Sequence, residues 1–246
     1  MLISILLPTR ERFDLMIKSI TSLYESAKGP SQIELLLKLD DDNYEEYISR
    51  MDEIYQITKN VKIVISNRRD GYDSIHLFLN ELAGVSEGEF LFLWNDDATM
   101  ITEGWDEYIA EYSGQLCVLQ IDNNHFSYPE LSESGVYIFP IIHRKYYEIL
   151  NHISLNPHSD TWVHFVSSFC DIEINEFRIC AYHDRADLTG NNDDEVYKGG
   201  WGRPESYIPG HSLLHTQEQA DLRSEDANKI FEYLMGGDGT NRARSY

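Results

Sequence analysis

Residues 90–105 read FLFLWNDDATMITEGW. The apolar run Phe90–Trp94 is too short for a helix and has no polar residue to face water. It reads as a strand buried on both faces, the kind found in a sheet covered by helices. The run leads straight into Asn95-Asp96-Asp97, so two adjacent carboxylates emerge at the mouth of the core, where they repel each other. Asn and Asp also suit an ordinary turn. What decides between these readings is how the other strands end.

Upstream, strand and helix patterns alternate. Ile3–Leu7 is a short apolar run stopped by Pro8. Phe13, Met16, Ile17, Ile20 and Leu23 follow with helical spacing. Ile33–Leu39 is a second strand, and Tyr44, Tyr47, Ile48, Met51 and Ile54 mark one face of a second helix. Val61–Ile65 reads as a third buried strand, and Ile75, Phe78, Leu79 and Leu82 as a third helix. Such alternation implies βαβ units and a largely parallel sheet. The second half is less regular. Leu116–Ile121, Gly135–Ile142 and Phe177–Tyr182 read as strands, and Arg144–Ile153, Ser159–Phe169 and Ser224–Met235 as helices. A loop-rich stretch, Asp184–Pro209, contains Gly199-Gly200-Trp201-Gly202.

Ligands of open α/β sheets bind beyond the carboxyl ends of the strands. Thr9-Arg10-Glu11-Arg12 follows the first strand, Asp40-Asp41-Asp42 the second, Asn67-Arg68-Arg69-Asp70 the third and Asn95-Asp96-Asp97 the fourth. Acidic clusters interleaved with arginines suit a hard cation bound to a diphosphate: oxygens take the metal, and arginines grip phosphate. Singly, each cluster has a plainer reading. Asp40–Asp42 could cap the helix near Tyr44, and Arg68 and Arg69 could form surface ion pairs. The conjunction favours a site.

The chain has 246 residues, 42% hydrophobic and 25% charged, with a formal net charge of −22. That length allows one large domain. That charge repels nucleic-acid backbones and anionic membranes, so no nucleic-acid partner is expected. The three cysteines have no metal-cluster spacing, which fits a reducing, cytoplasmic setting. No apolar segment approaches membrane-spanning length, and MLISILLPTR is a poor signal peptide and a good first strand.

The segments ISILLPTRERF, IELLLKLDDDN and GYDSIHLFLNELAGVSEGEFLFLWNDDATMITEGWDEYI together resemble GT-A glycosyltransferases, most of all the large inverting family 2 group. The resemblance is good over residues 2–110 and looser to about 183. Asn80, Gly88-Glu89 and Asn95-Asp96-Asp97 hold the places that lead into the family's DxD motif. The motif departs from its strict form, since the first Asp falls on Trp94 or Asn95. The resemblance implies an α/β fold with a GT-A, Rossmann-like, mostly parallel central sheet flanked by helices. It implies one domain over 1–235: a nucleotide-sugar half at 1–110 and a less regular acceptor-side half at 111–235. A flexible tail is expected at 236–246.

The implied donor is a nucleoside-diphosphate sugar, a UDP-sugar first, and the acceptor a glycan or other hydroxyl. The cofactor would be Mn²⁺ or Mg²⁺. The resemblance assigns Asp97 as the main metal ligand, with Asp96 nearby on the ribose or a metal-bound water. His183 would complete the metal site, with His211 and His215 as competitors. Asp40 would bind the base, and Thr9, Arg10, Asp42, Arg68 and Asn95 would join the nucleotide-sugar site. Asp160, in NPHSDTWVHF, would be the general base, although Ser159 or Asp160 could equally cap the helix that follows. Trp105, Trp162 and Trp201 could stack on sugars or pack in the core. Residues 199–202 could form a lid or a plain surface loop. Two rivals are a non-catalytic glycan- or partner-binding relative and a sugar-phosphate nucleotidyltransferase. The second would want a glycine-rich loop after the first strand, and Pro8–Arg12 has no glycine.

Overall fold

The computed structural model describes residues 1–123, 138–199 and 214–236. Eight strands form one sheet: β1 (Ile3–Pro8), β2 (Ile33–Asp40), β3 (Val61–Ser66), β4 (Phe90–Leu93), β5 (Ala98–Met100), β6 (Val118–Asn123), β7 (Ile141–His143) and β8 (Glu173–His183). Their order is β3-β2-β1-β4-β7-β6-β8-β5. The first four pair in parallel, as the alternating pattern predicts. Beyond β4 the sheet is mixed: β7 runs antiparallel to β4 and to β6, and β5 antiparallel to β8. Strands β6 and β8 are parallel, with an irregularity between Ile121 and Asp122.

The unbroken apolar runs have a simple cause. Successive side chains of a strand point to opposite faces, and here both faces are covered. Ile5, Leu7, Leu35, Phe92 and Trp94 pack with Met16 and Ile20 of helix α1 (Phe13–Ser26) on one side. Leu6, Leu36, Leu91 and Leu93 face the other. There they meet Leu79 and Leu82 of the helix Ile75–Val85, together with Trp162, Val166 and Ile230 from the helices Ser159–Phe169 and Gln217–Gly236.

Gly88, just before β4, lets that strand approach β1. A Cβ there would lie 2.6 Å from the Ser4 backbone nitrogen. Its N–H donates to Ser4 Oγ (2.8 Å) and to Glu34 Oε1 (3.0 Å). Glu34 is buried, and burial opposes its ionisation. Hydrogen bonds from Ser4, Glu87, Lys62 and Gly88 outweigh that and hold its carboxyl below the usual range.

Several boundaries differ from expectation. The single helix expected from Tyr44 to Ile54 is two short ones, Glu45–Ser49 and Met51–Ile57, divided at Arg50. Strand β3 lies at the sheet edge and is half-buried, with Ile65 exposed, rather than buried on both faces. Strand β8 and the last helix are longer than their apolar cores, and the short β5 has no pattern of its own. Of the strand expected at 135–142, residues 135–137 lie outside the described residues and only 141–142 are found as strand, in β7 (Ile141–His143). Of the tail expected at 236–246, Gly236 ends the last helix and 237–246 lie outside the described residues. No helix of the described residues is long and apolar enough to cross a membrane.

Candidate active site

Because β3, β2, β1 and β4 are parallel neighbours, their carboxyl ends share one edge of the sheet. At about 4.8 Å per strand, the end of β2 lies roughly 10 Å from the end of β4. These ends open into a cleft of about 530 Å³ lined by Thr9, Arg10, Asp40, Arg68, Asn95, Asp96, Asp97, Asp160 and His183. Asp42, assigned to the nucleotide-sugar site, is not part of the lining. It sits at the rim, bonded to Arg10.

The turn after β4 carries the acidic pair. Asp96 and Asp97 are both buried. Asp96 accepts from Thr9 Oγ1 (2.8 Å) and from Arg12 Nη1 (3.1 Å). Asp97 lies 3.0 Å from His183 Nε2 and 3.5 Å from Arg12 Nη1. His183 also meets Asn95 Nδ2 at 3.3 Å. Two carboxylates this close do not ionise alike. Burial, then the charge of Asp97, pushes Asp96 up to about 7. Burial acts on Asp97 too, but the His183 hydrogen bond and the charges of His183 and Arg12 outweigh it and hold Asp97 below the ordinary range. The Asn-Asp-Asp segment is a turn as well, since Ala98 N–H donates to Asn95 O (3.3 Å). The two readings of it are compatible.

At the β2 end, Asp40 does not cap a helix. Its carboxylate takes Arg10 Nη1 at 2.9 Å and the ammonium of Lys38. Lys38 is 1% exposed and lies 3.4 Å over the Phe78 ring. Glu11, at φ 56°, turns the chain through the left-handed region. Arg10 then reaches the β2 acids while Arg12 reaches those after β4. Arg69 makes the plain surface pair, 2.6 Å from Glu81, whereas Arg68 joins the cleft wall.

Asp160 occupies the first turn of the helix Ser159–Phe169, where a negative charge is favoured. It is not the N-cap. It bonds Thr161 N–H at 2.7 Å and lines the cleft. Its charge acts on the Tyr72 phenol, as do those of Arg185 and Asp97. Trp105 and Trp162 are core residues, fully buried, with their indole N–H groups on Leu23 O (3.0 Å) and Asp226 Oδ2 (3.2 Å). Neither can stack on a sugar. His215 is exposed and away from the cleft. His211, Trp201 and most of 199–202 lie outside the described residues.

Among the described residues no group of three His, Cys, Asp or Glu side chains converges as a metal cage. Asp97 and His183 do converge, and a carboxylate oxygen beside an imidazole nitrogen suits a cation such as Mn²⁺. The residues present therefore fit a cation whose remaining positions come from substrate oxygens and water, not one held by protein alone.

Sequence reasoning passed over Lys38, Tyr72, Arg185, Asp194 and the role of Arg12. Lys38 did leave a signal: a lysine inside the run IELLLKLD has to find a buried partner. Asp194 left none, because its contact with Arg12 spans 182 positions.

Neither a protein-family model nor a curated protein sequence matches the chain. Its fold does match solved structures. S. aureus TarS 1–349 in complex with UDP-GlcNAc aligns with a TM-score of 0.61 at 14% identity, over 98% of this chain and 74% of that one. The mannosyltransferase PcManGT from Pyrobaculum calidifontis, in complex with GDP-Man and Mn²⁺, aligns at 0.59 and 11% identity, over 96% and 88%. The fold is thus of the GT-A type.

Proposed function

We propose that the protein transfers a sugar from a nucleoside-diphosphate sugar, a UDP-sugar first, to an acceptor hydroxyl with inversion at the anomeric carbon. One observation carries this reading. On a GT-A-type sheet, the ends of four parallel strands and the end of β8 bring a buried carboxylate pair, a histidine and several arginines into one cleft. The structural neighbours solved with UDP-GlcNAc and with GDP-Man and Mn²⁺ support the donor class.

In this reading the base lies toward the β2 and β3 ends, near Asp40, Asp42 and Arg68. Thr9 and Asn95 flank the nucleotide. The roughly 10 Å from β2 to β4 accommodates a nucleoside with its diphosphate reaching Asp97. Asp97 and His183 would hold Mn²⁺ or Mg²⁺, which when bound offsets charge growing on the departing diphosphate. Arg10 and Arg12 add fixed positive charge there. Asp160, which lines the same cleft from the first turn of the helix Ser159–Phe169, accepts the acceptor's proton as its oxygen bonds to C1 and the C1–O bond to the diphosphate breaks. The transition state has oxocarbenium character.

The test is release of nucleoside diphosphate from UDP-sugars and GDP-mannose, with and without Mn²⁺ or Mg²⁺. Turnover with one donor that vanishes in Asp97→Ala supports the reading. A folded protein that releases nothing from any donor and binds none of them excludes it.

A further inference from the structure

Arg12 makes more contacts than a phosphate-gripping residue needs. Its side chain is 9% exposed and faces two ways. Nη1 lies 3.1 Å from Asp96 and 3.5 Å from Asp97. Nε and Nη2 grip both oxygens of Asp194, at 2.8 and 2.7 Å. Asp194 in turn accepts from Tyr197 N–H (2.9 Å), and its carbonyl takes Lys198 N–H (2.9 Å). The carboxylate that Arg12 holds therefore opens the short helix Glu195–Gly199, whose Val196 and Tyr197 line the cleft. The near end of this stretch is fastened separately, by His183 on Asp97 and by Asp184 N–H on Asp97 O (2.8 Å).

We propose that Arg12 is a positioning residue that ties residues 193–199 to the acidic pair, setting the wall of Val196 and Tyr197 over the donor cleft. A bidentate guanidinium–carboxylate contact fixes orientation as well as distance. A lysine could balance Asp96 and Asp97 but could not hold Asp194 in that geometry. The link to donor binding rests on the function proposed above; the tie itself does not.

The test is hydrogen exchange of backbone amides in the wild type, Asp194→Ala, Arg12→Lys and the double variant, followed by titration with UDP and Mn²⁺. Without ligand, exchange at 194–199 should rise at least about tenfold in each single variant, the factor lost with a charge-assisted hydrogen bond. The double variant should add little, because both changes remove one interaction. Amides of the helix Ser159–Phe169 should not change, which general loosening would not spare. UDP affinity should fall about fivefold or more in both single variants. Asp194 is 40% exposed, so Asp194→Asn, which keeps an oxygen for Tyr197 N–H and loses the charge pair with Arg12, carries the test if Arg12→Lys fails to fold.

Exchange at 194–199 that stays near wild type in Asp194→Ala overturns the tie. Faster exchange with unchanged UDP affinity overturns its bearing on the donor cleft. If the wild type binds no nucleotide, yet the variants show the exchange change, the proposed function is overturned and the tie supported.

Discussion

Asp96→Asn should flatten the dependence of stability on pH near neutrality. The folded-state pKa of Asp96 is raised from 3.8 to about 7 by burial and by Asp97. Between those values the folded chain keeps a proton that the unfolded chain has lost, so stability falls as pH rises and levels off above the folded value. Each pH unit in that window is worth about 1.4 kcal/mol, so the climb from about pH 5.5 to about 7 costs about 2 kcal/mol. For a chain of this length that is about 4–8 °C in Tm. The acidic surface penalises high pH in both proteins, so only the difference between wild type and variant counts. Thermal unfolding in chelator from about pH 5.5 to 8 should show wild type losing those degrees relative to Asp96→Asn. The variant should be the more stable at the alkaline end. Parallel curves would refute the account of a carboxyl kept protonated by burial and by the charge of its neighbour.

Gly88→Ala places a methyl 2.6 Å from Ser4 N and 2.9 Å from Leu2 O. It should lower stability by about 3 kcal/mol, read from denaturant midpoints. Lys38→Met strips one of the two cations from Asp40, leaving Arg10, and should destabilise by about 2 kcal/mol, with part of that recovered on adding Asp40→Asn. Recovery by the second change distinguishes a charge short of a partner from a packing defect. Asp160→Asn should lower transfer by about 100-fold or more while UDP affinity stays at the wild-type value. Unimpaired transfer would remove it as the base.

Strands β1, β2 and β4 were legible because each is an apolar run buried on both faces, which leaves little ambiguity in the pattern. Strand β5, three residues long and paired with β8, draws its order from its partner and not from its own sequence. The edge position of β3 was hidden for the same reason: VKIVIS reads alike at an edge or in the middle. The site residues that follow parallel strands were legible because sheet topology collects them at one edge. Arg12 was visible as a residue but not as a bridge, since its partner Asp194 approaches from a distant loop. For Trp105 and Trp162 the sequence left sugar stacking and core packing both open, because an indole suits a sugar face as well as a core, and burial decides for the core.

The most direct measurement is thermal unfolding of wild type and Asp97→Ala with UDP, with Mn²⁺, and with both. A ligand at about a hundred times its Kd adds about 2.7 kcal/mol. A gain in wild type that needs UDP and Mn²⁺ together, and is absent in Asp97→Ala, is the expected result. An equal gain in both proteins, or none with any nucleotide in the folded wild type, would contradict a donor site centred on Asp97.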